Sequence, residues 1–224
     1  MTMRSIRGLL IATAVLGFLA AWWHYPVENH FSILRCTISF LGSPDADRNP
    51  DGWRFYQAGM TAVMLLLSEL AWRRHRRLRG VIGRAACWSS GAVFLALGLI
   101  FLAVWIADTR EHRWFGMRTG ELHTRLSIIA IPFMAMGIVL DGVALSRAGL
   151  RGRALWPFHV YGVVVVAGTA ALISWEKMCA RDATLHHWPG EGIHSTPLWE
   201  WIVFTYLIAF MAWMAHGKWA KPDR

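Results

Sequence analysis

The sequence has little from which to build a covalent or a charged framework. Three cysteines among 224 residues, Cys36, Cys87 and Cys179, exclude a disulfide-stapled scaffold and a cysteine-rich zinc module. Charged residues make up 17% of the chain, where soluble domains carry about a quarter. Acids are scarcer still, 14 against 23 Lys and Arg. The short templates of phosphate, dinucleotide and thiol chemistry are missing as well. There is no G-x-x-x-x-G-K-[ST], no G-x-G-x-x-G, no C-x-x-C, no C-x-x-C-H and no G-x-S-x-G. P-loop, Rossmann, thioredoxin-like, covalently attached haem and α/β-hydrolase chemistries each need one of those spacings, so none of them is expected.

What the chain has in quantity is apolar length. Hydrophobic residues reach 55%, and helix-length runs lie near residues 6–24, 56–72, 85–107, 122–146, 157–176 and 197–215. Each is close to the ~20 residues that cross a ~30 Å hydrocarbon layer at about 1.5 Å per residue. The sequence therefore predicts an all-α polytopic membrane protein, a six-transmembrane-helix bundle forming one domain over residues 1–224. The first run follows Arg4 and Arg7, as a signal peptide would. It ends in Trp22-Trp23-His24 and has no small-residue cleavage site, so it reads as a retained first helix.

Assigning alternate connections to opposite sides sorts the charge. The N-terminus, the second connection, the fourth connection and the C-terminal tail hold 14 Lys and Arg, against only Glu69, Asp141 and Asp223. That leaves +11 on one side. The other side has nine cations and eleven acids, or −2. The positive-inside rule then puts the N- and C-termini in the cytoplasm and three loops outside, in the inner (plasma) membrane. Arginines beside helix ends fix topology and attract anionic head groups. The net charge of +9 therefore points to membrane lipids as partners and to no nucleic acid. Tryptophans agree, with Trp22, Trp23, Trp105, Trp175, Trp199 and Trp201 near outer span ends and Trp72, Trp88, Trp156, Trp213 and Trp219 near inner ones.

Inner connections are short, about a dozen residues from Trp72 to Arg84 and about ten from Arg147 to Trp156, which predicts antiparallel neighbours. The first outer loop places Phe31, Leu34, Ile38 and Leu41 at helical spacing. This predicts a short amphipathic helix capping the bundle mouth and ended by Gly42-Ser43-Pro44. Residues 45–52 then read as a turn-rich acidic stretch, and residues 177–196 as an irregular loop.

Chemistry is expected on the outer side, where seven of the ten histidines fall. His123 opens the fourth span, and Ser127 lies four residues on, so the two share a helix face that can look into the bundle. Its alternative role is an interfacial histidine bonded to a neighbouring helix end. Candidate zinc ligands are His123, His186, His187 and His194, although no H-x-x-x-H or H-E-x-x-H spacing supports a metal. Cys36 and Cys179 both fall outside, where they can form a disulfide or remain two small unpaired residues. On the inner side, Glu69 and Asp141 fit proton relays of a transporter or local ion pairs with Arg73, Arg74 and Arg147. No paired broken helices or inverted repeat accompany them, and Pro132 is an isolated kink.

A family resemblance attaches to particular residues. Ile38-Ser39-Phe40-Leu41-Gly42-Ser43-Pro44, Asn49-Pro50, Phe55 and Gly59 resemble the DUF998 family of six-span membrane proteins, as do His123 opening the fourth helix and Trp175-Glu176-Lys177 closing the fifth. That family is distantly similar to the Frag1/DRAM/Sfk1 proteins, which are linked with lipid and membrane homeostasis. The resemblance implies an outward-facing site built from Ser39, Asn49, His123 and Glu176, and carries no established reaction. A comparison with alkaline ceramidase-like hydrolases would imply a zinc-dependent amidase. Those enzymes have seven spans with a histidine pair in the last, whereas the sixth run here carries only His216 at its inner end.

Overall fold

The computed structural model describes residues 3–29, 31–33, 36–106, 109, 113–114, 116–150, 155–181 and 195–216, with the side chains of residues 172, 175, 176, 179, 180 and 196 left out. Among the described residues the chain forms six α-helices. They are α1 (Met3–Trp23), α2 (Trp53–Ile82), α3 (Ala85–Ile106), α4 (Thr119–Arg147), α5 (Trp156–Arg181) and α6 (Thr196–His216). The all-α expectation holds apart from a two-residue hairpin, β1 (Arg113–Trp114) with β2 (Met117–Arg118), which the sequence reading did not anticipate. Gly116 closes it with a φ of 78°, a backbone angle open to glycine.

Among the described residues, four segments are long and apolar enough to cross a membrane: Met3–Trp23, Ala85–Ile106, Thr119–Arg147 and Pro197–His216. Their outward faces stay apolar, with Leu9, Ile11, Leu16, Leu102 and Val139 exposed on α1, α3 and α4. A continuous surface of that kind is not left to water. α5 carries a shorter apolar stretch, Trp156–Ala171. α2 is less apolar for a different reason. It is the central helix, packed against α1, α3, α4 and α6, and its second half carries Arg73, Arg74, Arg76, Arg77 and Arg79.

The expected connection from Trp72 to Arg84 is mostly helix. Arginine is a good helix former, so α2 continues through Arg73, Arg74, Arg76, Arg77 and Arg79 until Gly83, at φ 56°, turns the chain into α3. The fourth apolar run is likewise the middle of a longer helix, because polar residues at both ends of α4 extend it.

Small residues set how closely the helices approach. α1 buries Ala14, Gly17 and Ala21 against α2. A Cβ on Gly17 would lie 2.7 Å from the Gly59 Cα and the Phe55 carbonyl oxygen. Between α3 and α4, a Cβ on Gly137 would meet the Ser89 carbonyl oxygen at 2.7 Å. Close backbone approach through small residues is how helices associate where lipid supplies no hydrophobic drive.

Polar side chains then divide the bundle into two ends. At the arginine-rich end, Glu69 on α2 accepts from Arg7 Nη2 on α1 and from Arg73 Nε, both at 2.7 Å. Here too, Asp141 on α4 accepts from Arg74 on α2. At the opposite end, Gln57 Nε2 on α2 donates to the Val104 carbonyl at 3.1 Å, and the loop after α1 folds over the helix ends as a plug.

Candidate functional site

The plug comprises residues 25–52. Two 3-10 turns, Val27–Asn29 and Ile38–Gly42, replace the single amphipathic helix expected there, and Leu34 of that pattern lies outside the described residues. Ile38 and Leu41 are buried, and the second turn ends at Gly42, as the Gly-Ser-Pro sequence predicts. Five residues of 3-10 backbone suit a segment whose polar groups bond elsewhere. The Ile38 N–H donates to Glu200 Oε2 of α6 at 3.0 Å, and Trp201 Nε1 donates to the Cys36 carbonyl at 3.4 Å.

Asn49 is the clamp of the plug. It is fully buried; its Nδ2 donates to the Ala21 carbonyl at 2.9 Å and to the Leu41 carbonyl at 2.8 Å, and its Oδ1 accepts the Gly52 N–H at 3.1 Å. One amide therefore joins the end of α1, the second 3-10 turn and the start of α2. Its side chain is engaged by the fold itself. Ser39 Oγ pairs with Thr37 Oγ1 at 2.8 Å within the same turn. Asn29 Nδ2 gathers the far side of the loop through the Ala46 and Arg48 carbonyls. The acidic stretch is tucked in, since buried Asp45 accepts from Thr109 Oγ1 at 2.7 Å. The Tyr25 ring packs on Phe31 with centroids 5.0 Å apart, and burial, with Cys36 beside it, pushes its phenol well above the ordinary tyrosine range.

His123 and Ser127 lie on the neighbouring α3–α4 pair, on the α4 face that continues through the buried residues Ala130, Met134 and Ile138. The shared face predicted from their spacing is present. His123 Nδ1 is 2.8 Å from the Ala103 carbonyl oxygen near the end of α3. A carbonyl can only accept, so Nδ1 is the donor in this contact, and Nε2 is the ring's remaining polar atom. The helix-end bond considered in sequence is therefore formed, and it leaves the imidazole oriented. Asp45, Thr109 and Thr119 connect this pair of helices to the plug, because Thr119 Oγ1 donates to the Thr109 carbonyl at 3.1 Å.

The remaining outer candidates divide by what is described. Glu176 is on α5, but its side chain, like that of Cys179, lies outside the described residues, as do His186, His187 and His194. The disulfide expectation therefore falls outside them too, while Cys36 is buried beside Tyr25. Among the described residues, no three His, Cys, Asp or Glu side chains converge in a set that would hold a metal.

At the arginine-rich end, Glu69 and Asp141 are both in ion pairs, one of which is local. Glu69 bonds to Arg73 one turn along α2, and also to Arg7. Asp141 pairs instead across the bundle, with Arg74 Nε 2.7 Å from its Oδ2 and both side chains without exposed surface. Sequence reasoning named Arg74 as an ion-pair partner but missed its full burial at this end. Its signal was the apolar face Leu67, Ala71, Leu78, on which position 74 falls at helical spacing. Beside it, His75 Nδ1 lies 3.1 Å from Ser90 Oγ on α3. No protein-family model, curated protein or solved structure matches the chain.

Proposed function

We propose that this chain is a multi-pass protein of the plasma (inner) membrane, with six spans and both termini cytoplasmic, that binds a lipid or lipid-linked molecule at its outer mouth. The membrane assignment draws on four apolar helices and on the segregation of arginines to one end of the bundle. With the plug packed on the opposite end, α2 as the central helix and α5 with its shorter apolar stretch join the four apolar helices to make six spans.

One observation carries the ligand reading. The His123 imidazole is held by the Ala103 carbonyl with Nε2 as its remaining polar atom, and the same helix exposes Ile128, Ile129 and Ile131 a turn or two further on. A fixed polar group at the margin of an apolar surface suits an amphiphile, with the head group at His123 and Ser127 and the chains along α4. Ser39 and Asn49 then act through the plug that covers this region, and Glu176 is the acid that the DUF998 resemblance adds. A photoactivatable residue at Ser127 tests the reading. Crosslinked lipid is the expected product, and crosslinking no greater than at exposed Val163 of α5 overturns it.

The same hydrogen bond favours a second reading. Histidines that bind metals commonly donate the other ring N–H to a carbonyl, as His123 does, which suits a zinc-dependent lipid hydrolase. Stoichiometric zinc by elemental analysis, lost in His123→Ala, supports that reading, and substoichiometric metal removes it.

A further inference from the structure

A cavity of about 360 Å³ lies at the arginine-rich end, between the end of α4 and the start of α5, lined by Gly142, Val143, Ser146, Arg147, Leu155, Phe158 and His159. It is far along the chain from the plug and uses none of the outer candidates. Its shape has a local cause. Phe158 is held from behind by α6, edge-on to Phe210 at 5.2 Å and to Trp213 at 6.2 Å. Tyr206 of α6 also donates to the Pro157 carbonyl at 2.6 Å, which fixes where α5 begins. On the other wall, a Cβ at Gly142 would come within 3.2 Å of the Phe158 ring, so the glycine gives the ring its place.

The lining is mostly apolar, through Val143, Leu155 and Phe158, and its polar members are Ser146, Arg147 and His159. Arg147 and His159 are exposed, and Val143 is 45% exposed, so the groove opens sideways as well as toward the helix ends. The helix dipoles roughly cancel here, because α4 ends and α5 begins at the same place, each contributing about half a charge of opposite sign. Arg147 therefore decides the sign. The connection between the two helices adds Arg151 and Arg153 in sequence and contains no acid.

We propose that this groove is a binding site for an anionic phospholipid of the cytoplasmic leaflet, with the phosphate at Arg147 and His159 and an acyl chain along Val143 and Phe158. An apolar trough ending in the Arg147 guanidinium, with His159 as a further hydrogen-bonding group, complements that ligand, and a zwitterionic lipid leaves the cation less well matched. The proposal rests on the membrane orientation given above, but not on the outer ligand.

The test is native mass spectrometry of the purified full chain, delipidated in detergent and titrated with phosphatidylglycerol or phosphatidylcholine. Wild type should retain phosphatidylglycerol over phosphatidylcholine by about fivefold or more, the factor expected from one cationic side chain near a membrane surface. Arg147→Gln should abolish the preference. Val143→Trp should reduce retention of both lipids by filling the trough, while placing its ring on an already exposed face. His123→Ala should leave the preference intact, which separates this site from the outer one. Equal retention of the two lipids by wild type, or a preference that survives Arg147→Gln, overturns the proposal.

Discussion

Replacing Asp141 with Leu strands a buried arginine, and the consequence can be bounded from the structure. Arg74 and Asp141 have no exposed side-chain surface, and Arg74 Nε and Nη2 both donate to the same carboxylate oxygen. Removing one partner of such a pair leaves an uncompensated charge in a low-dielectric interior and costs about 3–5 kcal/mol. For a chain of this size each kcal/mol moves the melting point by about 2–4 °C, so Asp141→Leu should lower it by roughly 6–20 °C. Replacing both residues with apolar ones of similar volume removes the charge along with its partner. Arg74→Met with Asp141→Leu should therefore recover most of the loss. The fourteen tryptophans make intrinsic fluorescence in detergent a direct assay of unfolding. A fall of less than about 2 °C for Asp141→Leu, or a double variant as unstable as the single one, would refute the reasoning that the pair is dry and mutually dependent.

Three further outcomes follow from the packing. Gly17→Leu should loosen α1 from α2, since even a Cβ meets Gly59 and Phe55 backbone atoms at 2.7 Å; the cost is at least the ~1–3 kcal/mol of overpacking, read as a lower melting point. Asn49→Ala leaves the buried Ala21 and Leu41 carbonyls without their donor and costs about 1–3 kcal/mol for each unsatisfied group, so limited trypsin digestion should cut faster after Arg48. Tyr25 has its phenol pKa raised in the fold, so its stabilising contribution is complete below the ordinary tyrosine value of about 10 and is lost as pH rises beyond it. Tyr25→Phe should therefore flatten the alkaline loss of stability, measured as melting point between pH 8 and pH 11.

The sequence showed more of the fold than of the site, for physical reasons. Apolar runs locate helices well, because lipid and core both reward the same residues over twenty positions. They locate helix ends poorly, because Arg73, Arg74, Arg76, Arg77 and Arg79 extend α2 as readily as leucines would. The His123–Ser127 face followed from a four-residue spacing, which any helix honours. The partner of His123 is the Ala103 carbonyl, and backbone acceptors leave no mark in a sequence. Asn49 was legible as a special residue within a recognisable block, but its three bonds show a structural clamp. Asp141 was expected to pair locally and instead reaches a different helix. Its partner Arg74 was among the named candidates, but with five other arginines in the same stretch the sequence does not single it out.

The central claim is a lipid held at the outer mouth by His123, and the lipid that accompanies the protein through purification tests it most directly. Native mass spectra of wild type and His123→Ala, each prepared in the same detergent without added lipid, should differ by one retained lipid. That lipid should be present on wild type and absent from the variant, with the melting point of the variant within about 4 °C of wild type, the scale of a single kcal/mol. Identical adducts on both proteins, or lipid on wild type in proportion to the bulk membrane composition, would contradict the account.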